Sequence, residues 1–453
     1  MADRPPGAER LTGATDMFKF NTSGALAPSQ THAPSYYAAT VSEPVTGERL
    51  DGVVEADVCI IGGGFTGTSA ALHLARQGVS VVLLEQSLLG WGASGRNGGQ
   101  VHVGLRREQD WLEAKVGAAH ARTLWDFALE ARQHLDWLMH DLAIDCDYRP
   151  GYLHADHKAS YVAHTRAYVK KLNEEYDYPS VRFVDREEIA TLVPSAAYHG
   201  GSLDSRGGHL HPLKLVLGIA AAAKQHGARL MEDAEVTELA RRGAGWEART
   251  RTGAVRAGRV VLACNGYLRG LSADVAAHVM PINNFIAVTE PLGAERAGAL
   301  IRDGLAVSDS RFVVHYYRMT KEHRLLFGGG ENYRYEFPRD IGAFVRPHVR
   351  GVFPALADVR FDYAWGGTLS ITPTRMPYVR EVAPGCFNAS GFSGLGVVLA
   401  PYAGKMLADA LTGAPAAFQA FAEVPVPKFP GGPSLRWPTL VAAMSYYALR
   451  DRL

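Results

Sequence analysis

The sequence predicts an α/β fold in which a parallel β-α-β core is interleaved with a second unit built on an antiparallel sheet. Three observations predict it. An apolar run at 58–61 enters Gly62-x-Gly64-x-x-Gly67 and continues as a helical pattern, Ala70, Leu72, Leu74 and Ala75, that stops at Gly78. A second β-α-β texture returns between His211 and Cys264. Between 281 and 331 the texture changes to alternating strands with a hairpin turn at Lys321-Glu322.

The opening element has a mechanical reading at each glycine. Gly62 allows the tight strand-to-helix turn, Gly64 lets a pyrophosphate approach the backbone, and Gly67 lets the helix pack on the strand. The positive end of the helix then faces the phosphates. A second strand, 79–84, ends on Glu85, about 20 residues downstream, where a carboxylate can accept hydrogen bonds from a ribose. Strand, glycines, helix, strand and acid together make a Rossmann-type dinucleotide site. After Glu85 comes Gly90-Trp91-Gly92-Ala93-Ser94-Gly95-Arg96-Asn97-Gly98-Gly99-Gln100. So many small residues cannot form a good helix interior or strand, and they suit a loop pressed on a flat polar ligand. Ser94, Arg96 and Asn97 are its expected hydrogen-bond donors.

Further along, 107–142 and 156–175 read as helices, and His211-Pro212 opens another that ends at Gly227. Strands are expected at 228–231 and 260–263, with the segment 234–239 between them, then at 283–288, 311–319 and 324–327. The expected organisation is an arm at 1–50, a discontinuous nucleotide domain at 51–105, 200–280 and 362–425, a substrate domain at 106–199 and 281–361, and a tail at 426–453. Ser35-Tyr36-Tyr37 is the part of the arm expected to dock on the body.

Charge and composition narrow the function. Lys and Arg total 47 against 46 Asp and Glu, which argues against nucleic acid or an anionic membrane as partner. The four cysteines, Cys59, Cys146, Cys264 and Cys386, form no CxxC pair and no Cys/His metal spacing, so no metal site is expected. No apolar run reaches transmembrane length, and no basic segment leads into an apolar one, so the expectation is a cytoplasmic protein without a transmembrane segment.

The opening fingerprint, the GWGASGRNGGQ string, VVLACNGY at 260–267 and the closing Ser390-Gly391-Phe392-Ser393-Gly394-Leu395-Gly396 together resemble the flavoprotein amine and amino-acid oxidase superfamily of D-amino acid, glycine and sarcosine oxidases. Within it the chain is most similar to the γ-glutamylputrescine oxidase group, on Ser35-Tyr36-Tyr37-Ala38-Ala39, the GWGASGRNGG string, His209-Leu210-His211-Pro212-Leu213 and the tail motifs at 429–432 and 446–451. The resemblance implies an interleaved fold of the glycine/D-amino acid oxidase kind. It implies FAD held by Gly62, Gly64, Phe65, Thr66 and Gly67 at the pyrophosphate, and by Glu85 and Gln86 at the ribose. Gly92, Ala93, Ser94, Arg96, Asn97, Gly98 and Gly99 would run beside the ring system, and Val236 would meet the adenine. Gly394, Leu395, Gly396 and Val397 would bring a helix N-terminus to the flavin N1 edge, where charge develops on reduction. It implies non-covalent FAD, because 327–331 carries no Cys where sarcosine-oxidase-like relatives attach theirs.

Two positions depart from the group: Leu395 stands where His is common, and Thr372-Pro373-Thr374-Arg375 replaces Thr-Pro-Asn/Asp-Arg. Candidates for the substrate wall are Tyr316 and Trp365 as an aromatic slot, Arg318 as a carboxylate anchor or a surface pair, and His102 as a structural or a catalytic histidine. The expected activity is oxidation of a small-molecule amine with O2 as acceptor, giving imine or aldehyde and H2O2. The alternatives are an amino-acid dehydrogenase serving a quinone or carrier, a flavin monooxygenase, and a non-catalytic flavin-binding regulator. The monooxygenase is disfavoured because Gly328-Gly329-Gly330 is followed by no helix of small residues.

Overall fold

The computed structural model describes residues 27–332 and 336–430. Two sheets carry it. The first has a parallel core in the order Cys386–Ser390, Gly253–Leu262, Gly52–Ile61, Val81–Leu84 and Arg229–Met231, with Tyr378–Ala383 antiparallel at one edge. The C-terminal halves of its central strands are apolar and buried (Cys59, Ile60, Val82, Leu83, Val260, Val261), as in a parallel sheet covered on both faces. The helix Phe65–Arg76 follows the first strand, and Pro212–Gln225 precedes the last. Pro212 sits at the first helical position and His211 caps it, its Nδ1 accepting from Lys214 N at 3.1 Å.

Glycine contacts set how closely these layers pack. A Cβ on Gly67 would lie 1.8 Å from Gly62 O, and one on Gly404 would lie 2.4 Å from Thr66 O. The first contact seats the helix Phe65–Arg76 on its strand, and the second seats the helix Gly396–Leu411 on that helix. Ser69 Oγ reinforces the second contact by donating to Pro401 O at 2.6 Å.

The second sheet runs Phe361–Ile371, Met280–Thr289, Leu325–Asn332, Tyr316–Met319, Ala306–Asp309, Arg149–Ala155, Gly201–His209 and Gln100–Val101. One face packs Phe285, Tyr317, Phe327, Leu153 and Val307 against the helix Ile341–Val352. Its other face is turned toward the nucleotide unit. Among the described residues no helix is long and apolar enough to cross a membrane.

The structure moves several expected boundaries. The helix expected at 107–142 is two, Gln109–Val116 and Ala118–His140, because Gly117 between them adopts φ +85°. The strand expected at 311–319 begins only at Tyr316, since the Asp309 carboxylate gathers the Arg311 and His315 N–H groups into a turn. Of the segment 234–239, only Glu238 and Leu239 are extended, as the start of the strand Glu238–Arg242. Gly201–His209 and Phe361–Ile371, expected in the nucleotide domain, pair in the second sheet instead. Leu112, Leu124 and Leu135, expected in the substrate domain, pack in the nucleotide core. Of the arm, 1–26 lies outside the described residues; Tyr36 and Tyr37 are buried in the body. Most of the tail, 431–453, also lies outside them.

Candidate cofactor and substrate site

One cavity of about 460 Å³ lies between the two sheets. Two helix N-termini open on it. Gly64, Phe65 and Thr66 bring the first, and Gly394, Leu395, Gly396 and Val397 the second, after a turn with Ser393 at φ +53° and Gly394 at φ +98°. Backbone N–H groups and the helix dipole make both ends receptive to negative charge. Ala93, Ser94, Arg96, Asn97, Gly98 and Gly99 supply the strip of cavity wall between them. This long trough with a cation-like end at each helix fits an elongated dinucleotide carrying a flat ring.

The loop side chains do a different job from the one expected. Ser94 Oγ accepts from Phe65 N at 2.8 Å, tying the loop to the first turn of the helix. Arg96 Nε donates to Trp91 O at 2.7 Å, and its guanidinium lies 4.2 Å from the Trp91 ring centre. Asn97 Nδ2 donates to Ala93 O and Ser94 O, and its Oδ1 accepts from Gly99 N. These bonds tie the loop to itself and to the helix Phe65–Arg76, so the three side chains shape the strip while still lining the cavity.

Glu85, Gln86, Gly62, Gly67, Gly92 and Val236 do not line this cavity. Glu85 is buried, and its carboxylate accepts from Gly63 N at 2.7 Å and Ser87 N at 2.9 Å. Burial pushes its carboxyl up to about 7, against the pull of those two bonds. Val236 lies close by, because Ala234 N donates to Glu85 O at 2.8 Å. The two segments assigned to ribose and adenine therefore end side by side.

The cavity wall opposite the loop is one face of the second sheet, and strand register explains its membership. Ser202 pairs with His154, His154 with Ser308, and Ser308 with Tyr316, so these four share one face in one row. Tyr316 lies between two glycines: a Cβ on Gly98 would meet its ring at 2.5 Å, and one on Gly328 at 2.0 Å. Its hydroxyl donates to Asn284 Oδ1. Ile282, Ile286, Leu369 and Phe312 make the wall around it apolar.

Arg318 shares the Tyr316 face but does not line the cavity. It is 4 % exposed, and its guanidinium donates to Gly98 O (2.9 Å), Leu210 O (3.0 Å) and Tyr37 Oη (3.2 Å). A carboxylate anchor there is excluded by these partners. Trp365 is also outside the cavity, 1 % exposed, with Nε1 donating to Arg96 O at 2.9 Å and its ring edge-on to Tyr37. His102 does line the cavity, edge-on to Tyr152 with ring centres 4.1 Å apart. Burial, then the Arg106 charge, lowers its pKa to about 3, so it is neutral near pH 7 and no proton donor there.

Sequence reasoning passed over Tyr152, His154, Ser202 and Asp204, which line the far lobe. Their period-two spacing on Arg149–Ala155 and Gly201–His209 was the available signal. Asn284 and Arg375 were missed as well; Arg375, in the Thr372–Arg375 turn, lies 5.3 Å over the Phe312 ring.

Comparison with known proteins agrees with this geometry. The profile of the FAD dependent oxidoreductase family matches residues 57–410. A probable oxidoreductase OrdL of Rhizobium meliloti is 42 % identical over 92 % of this chain and 97 % of its own. The gamma-glutamylputrescine oxidoreductase of Escherichia coli is 38 % identical over 93 % of this chain and 99 % of its own. Among solved structures, L-proline dehydrogenase from P. horikoshii superposes with a TM-score of 0.67 at 22 % identity, covering 80 % of this chain and 94 % of that one. Glycine oxidase from Bacillus cereus does so with 0.64 at 19 %, covering 79 % and 95 %. These two show the shared fold.

Two outcomes follow from the site. Glu85→Ala leaves two buried N–H groups without their charged acceptor and is expected to weaken FAD binding by about 1.5–3 kcal/mol. Dialysis should strip yellow colour from the variant faster than from wild type; equal retention would mean that Glu85 has no part in holding the cofactor. Arg318→Ala should cost roughly 2 kcal/mol or more of stability, because buried carbonyls lose a charged donor. A lowered Tm is expected, with carboxylate-bearing and carboxylate-free amines oxidised equally less well. Selective loss of the former would restore the anchor role.

Proposed function

The chain belongs to the FAD dependent oxidoreductase family, and on that premise we propose that it oxidises the carbon–nitrogen bond of an extended primary amine of the γ-glutamylputrescine kind. The observation that carries this reading is the length of the cavity. From Tyr316, beside the cofactor loop, the row through Ser308, His154 and Ser202 crosses three strand spacings, about 14 Å. A short α-amino acid would leave most of that wall uncovered. The 38 % identity to an enzyme named for γ-glutamylputrescine supports the same class.

FAD supplies the two-electron acceptor, at N5, for the hydride leaving the carbon beside the amine. The chain's residues set up that transfer. Ile282, Ile286, Leu369 and Phe312 surround the Tyr316 end with apolar surface, which lowers the pKa of a bound amine and favours its neutral, reactive form. Tyr316, fixed by Asn284 and two glycine backbones, narrows the slot and orients the carbon. The helix starting at Gly396 points its positive end at the same cavity, where it would stabilise negative charge on a bound flavin without reorganisation. Water would then hydrolyse the released imine to an aldehyde and ammonia, and the two electrons and two protons taken from the amine would pass to dioxygen as hydrogen peroxide.

Anaerobic bleaching of the holoenzyme against putrescine, γ-glutamylputrescine, glycine, sarcosine and D-alanine tests the reading. γ-Glutamylputrescine should bleach fastest, and air should then return the colour with stoichiometric peroxide. A short amino acid as best substrate would overturn the substrate class; bleaching without peroxide would make the protein a dehydrogenase. We also expect non-covalent FAD. Residues 327–330 hold no thiol, and the cysteine nearest the cavity, Cys264, donates to Ile61 O at 3.3 Å and has its thiol pushed up to about 12 by burial. Acid precipitation should release all flavin; colour in the washed pellet would show a covalent link.

A further inference from the structure

The far lobe of the cavity holds a buried carboxylate that the described fold leaves without a counter-ion. Asp204, on the strand Gly201–His209, lines the cavity and is 8 % exposed. Its oxygens accept from Tyr178 Oη at 2.9 and 3.0 Å, and Oδ1 also accepts from Arg206 N at 2.9 Å. These are neutral donors. Among the described residues no cationic nitrogen comes within 4 Å of it, and the Arg206 guanidinium acts only at longer range. Burial accordingly holds the carboxyl above its ordinary range. An ionised carboxylate away from water is costly unless a cation meets it, and a cavity-lining one can receive that cation from a ligand.

The surroundings suit a cationic guest. The Trp125 and Tyr178 rings, both on the cavity wall, stand edge to face with centres 5.3 Å apart. Aromatic surface beside a carboxylate stabilises an ammonium group. The neighbouring histidines bring no competing charge: His102 and His154 are lowered to about 3 and about 4, burial first and the Arg106 charge second. Asp204 is the cross-strand partner of Tyr152, so it shares the row's face but lies at its far end, three strands from Tyr316.

We propose that Asp204 binds a second, cationic nitrogen of the substrate, walled by Trp125 and Tyr178, while the reacting amine lies about 16 Å away at Tyr316, three strand spacings across and two residues along. The position of the reacting amine rests on the function proposed above; the Asp204 site does not. Two molecules carry such a nitrogen: the α-ammonium of a γ-glutamyl head and the terminal ammonium of a longer polyamine. The 38 % identity to an enzyme named for γ-glutamylputrescine favours the head.

γ-Glutamylethylamide keeps the head and lacks an oxidisable terminal amine, and N-glutarylethylamide lacks the α-ammonium as well. Calorimetry on the wild-type holoenzyme should show the first binding about tenfold or more tighter than the second. Equal binding of the two overturns the proposal with no variant needed. Asp204→Asn, checked for FAD content and Tm, should erase the difference; a difference that survives in the folded variant overturns it too. In anaerobic bleaching, γ-glutamylputrescine should exceed N-glutarylputrescine in kcat/KM by a similar factor in wild type, and the ratio should approach one in Asp204→Asn. Spermidine outperforming γ-glutamylputrescine would assign the site to a polyamine end. If the amides bind as expected but no amine bleaches the flavin, the oxidation reading fails and the Asp204 site stands.

Discussion

The architecture depends on one steric constraint, the near-contact of three backbone segments around the fingerprint turn. Gly67 lies against Gly62 O, and Gly404 against Thr66 O, at separations that leave no room for a methyl group. Because the helices Phe65–Arg76 and Gly396–Leu411 are locked together here, their N-termini are held at fixed positions on the same cavity. Two positive helix ends a fixed distance apart favour a ligand with negative charge at two places, which pyrophosphate and a reduced flavin ring provide. The sheet wall opposite can vary in chemistry without disturbing that arrangement, as far as the loop between them stays in place.

Keeping the loop in place is the task of residues that look functional in the sequence. Arg318, Trp365 and Tyr37 form a brace: Arg318 reaches Gly98 O and Tyr37 Oη, Trp365 reaches Arg96 O, and Tyr37 Oη donates to Asn97 O at 2.8 Å. Each bond ends on the cofactor loop or on a side chain that touches it. A glycine-rich strip has little side-chain surface with which to hold itself, so its carbonyls are held from behind by long polar side chains. Tyr36 and Tyr37 belong to a helix of five residues near the start of the described chain, so this early segment completes the loop that forms some 60 residues later.

What was legible in the sequence follows from how local each signal is. The fingerprint turn, the N-capped helix at Pro212 and the Gly396 helix are encoded within a few residues by glycine, proline and apolar period, and all are present. Period-two alternation on Tyr316–Met319 correctly put Tyr316 and Arg318 on one face. It could not say where along that face the cavity ends, because that depends on the loop at 98 and on Leu210, which approach from elsewhere in the chain. Period two marks His154 and Asp204 as sharing faces on their own strands, but their place in the cavity is hidden for a related reason. Their strands pair across 46 or more residues of sequence, with a register shift between Pro150 and Tyr152, and only register aligns them with Tyr316.

The Leu395 departure gains a physical meaning from this arrangement. Leu395 is the N-cap of the helix Gly396–Leu411 and lines the cavity, so its side chain offers no capping oxygen and no donor to a ring beside it. Its own N–H is engaged by Phe392 O at 3.1 Å. Stabilisation of negative charge at this edge therefore falls to the helix dipole and the backbone groups beyond position 395, which a leucine does not alter. A histidine in its place would add a titratable group beside the ring; leucine removes that pH sensitivity and makes the edge more apolar. The end of the cavity at the two helix N-termini is thus set by backbone, and on the function proposed above the chemistry that would discriminate among amines falls to the sheet face opposite it.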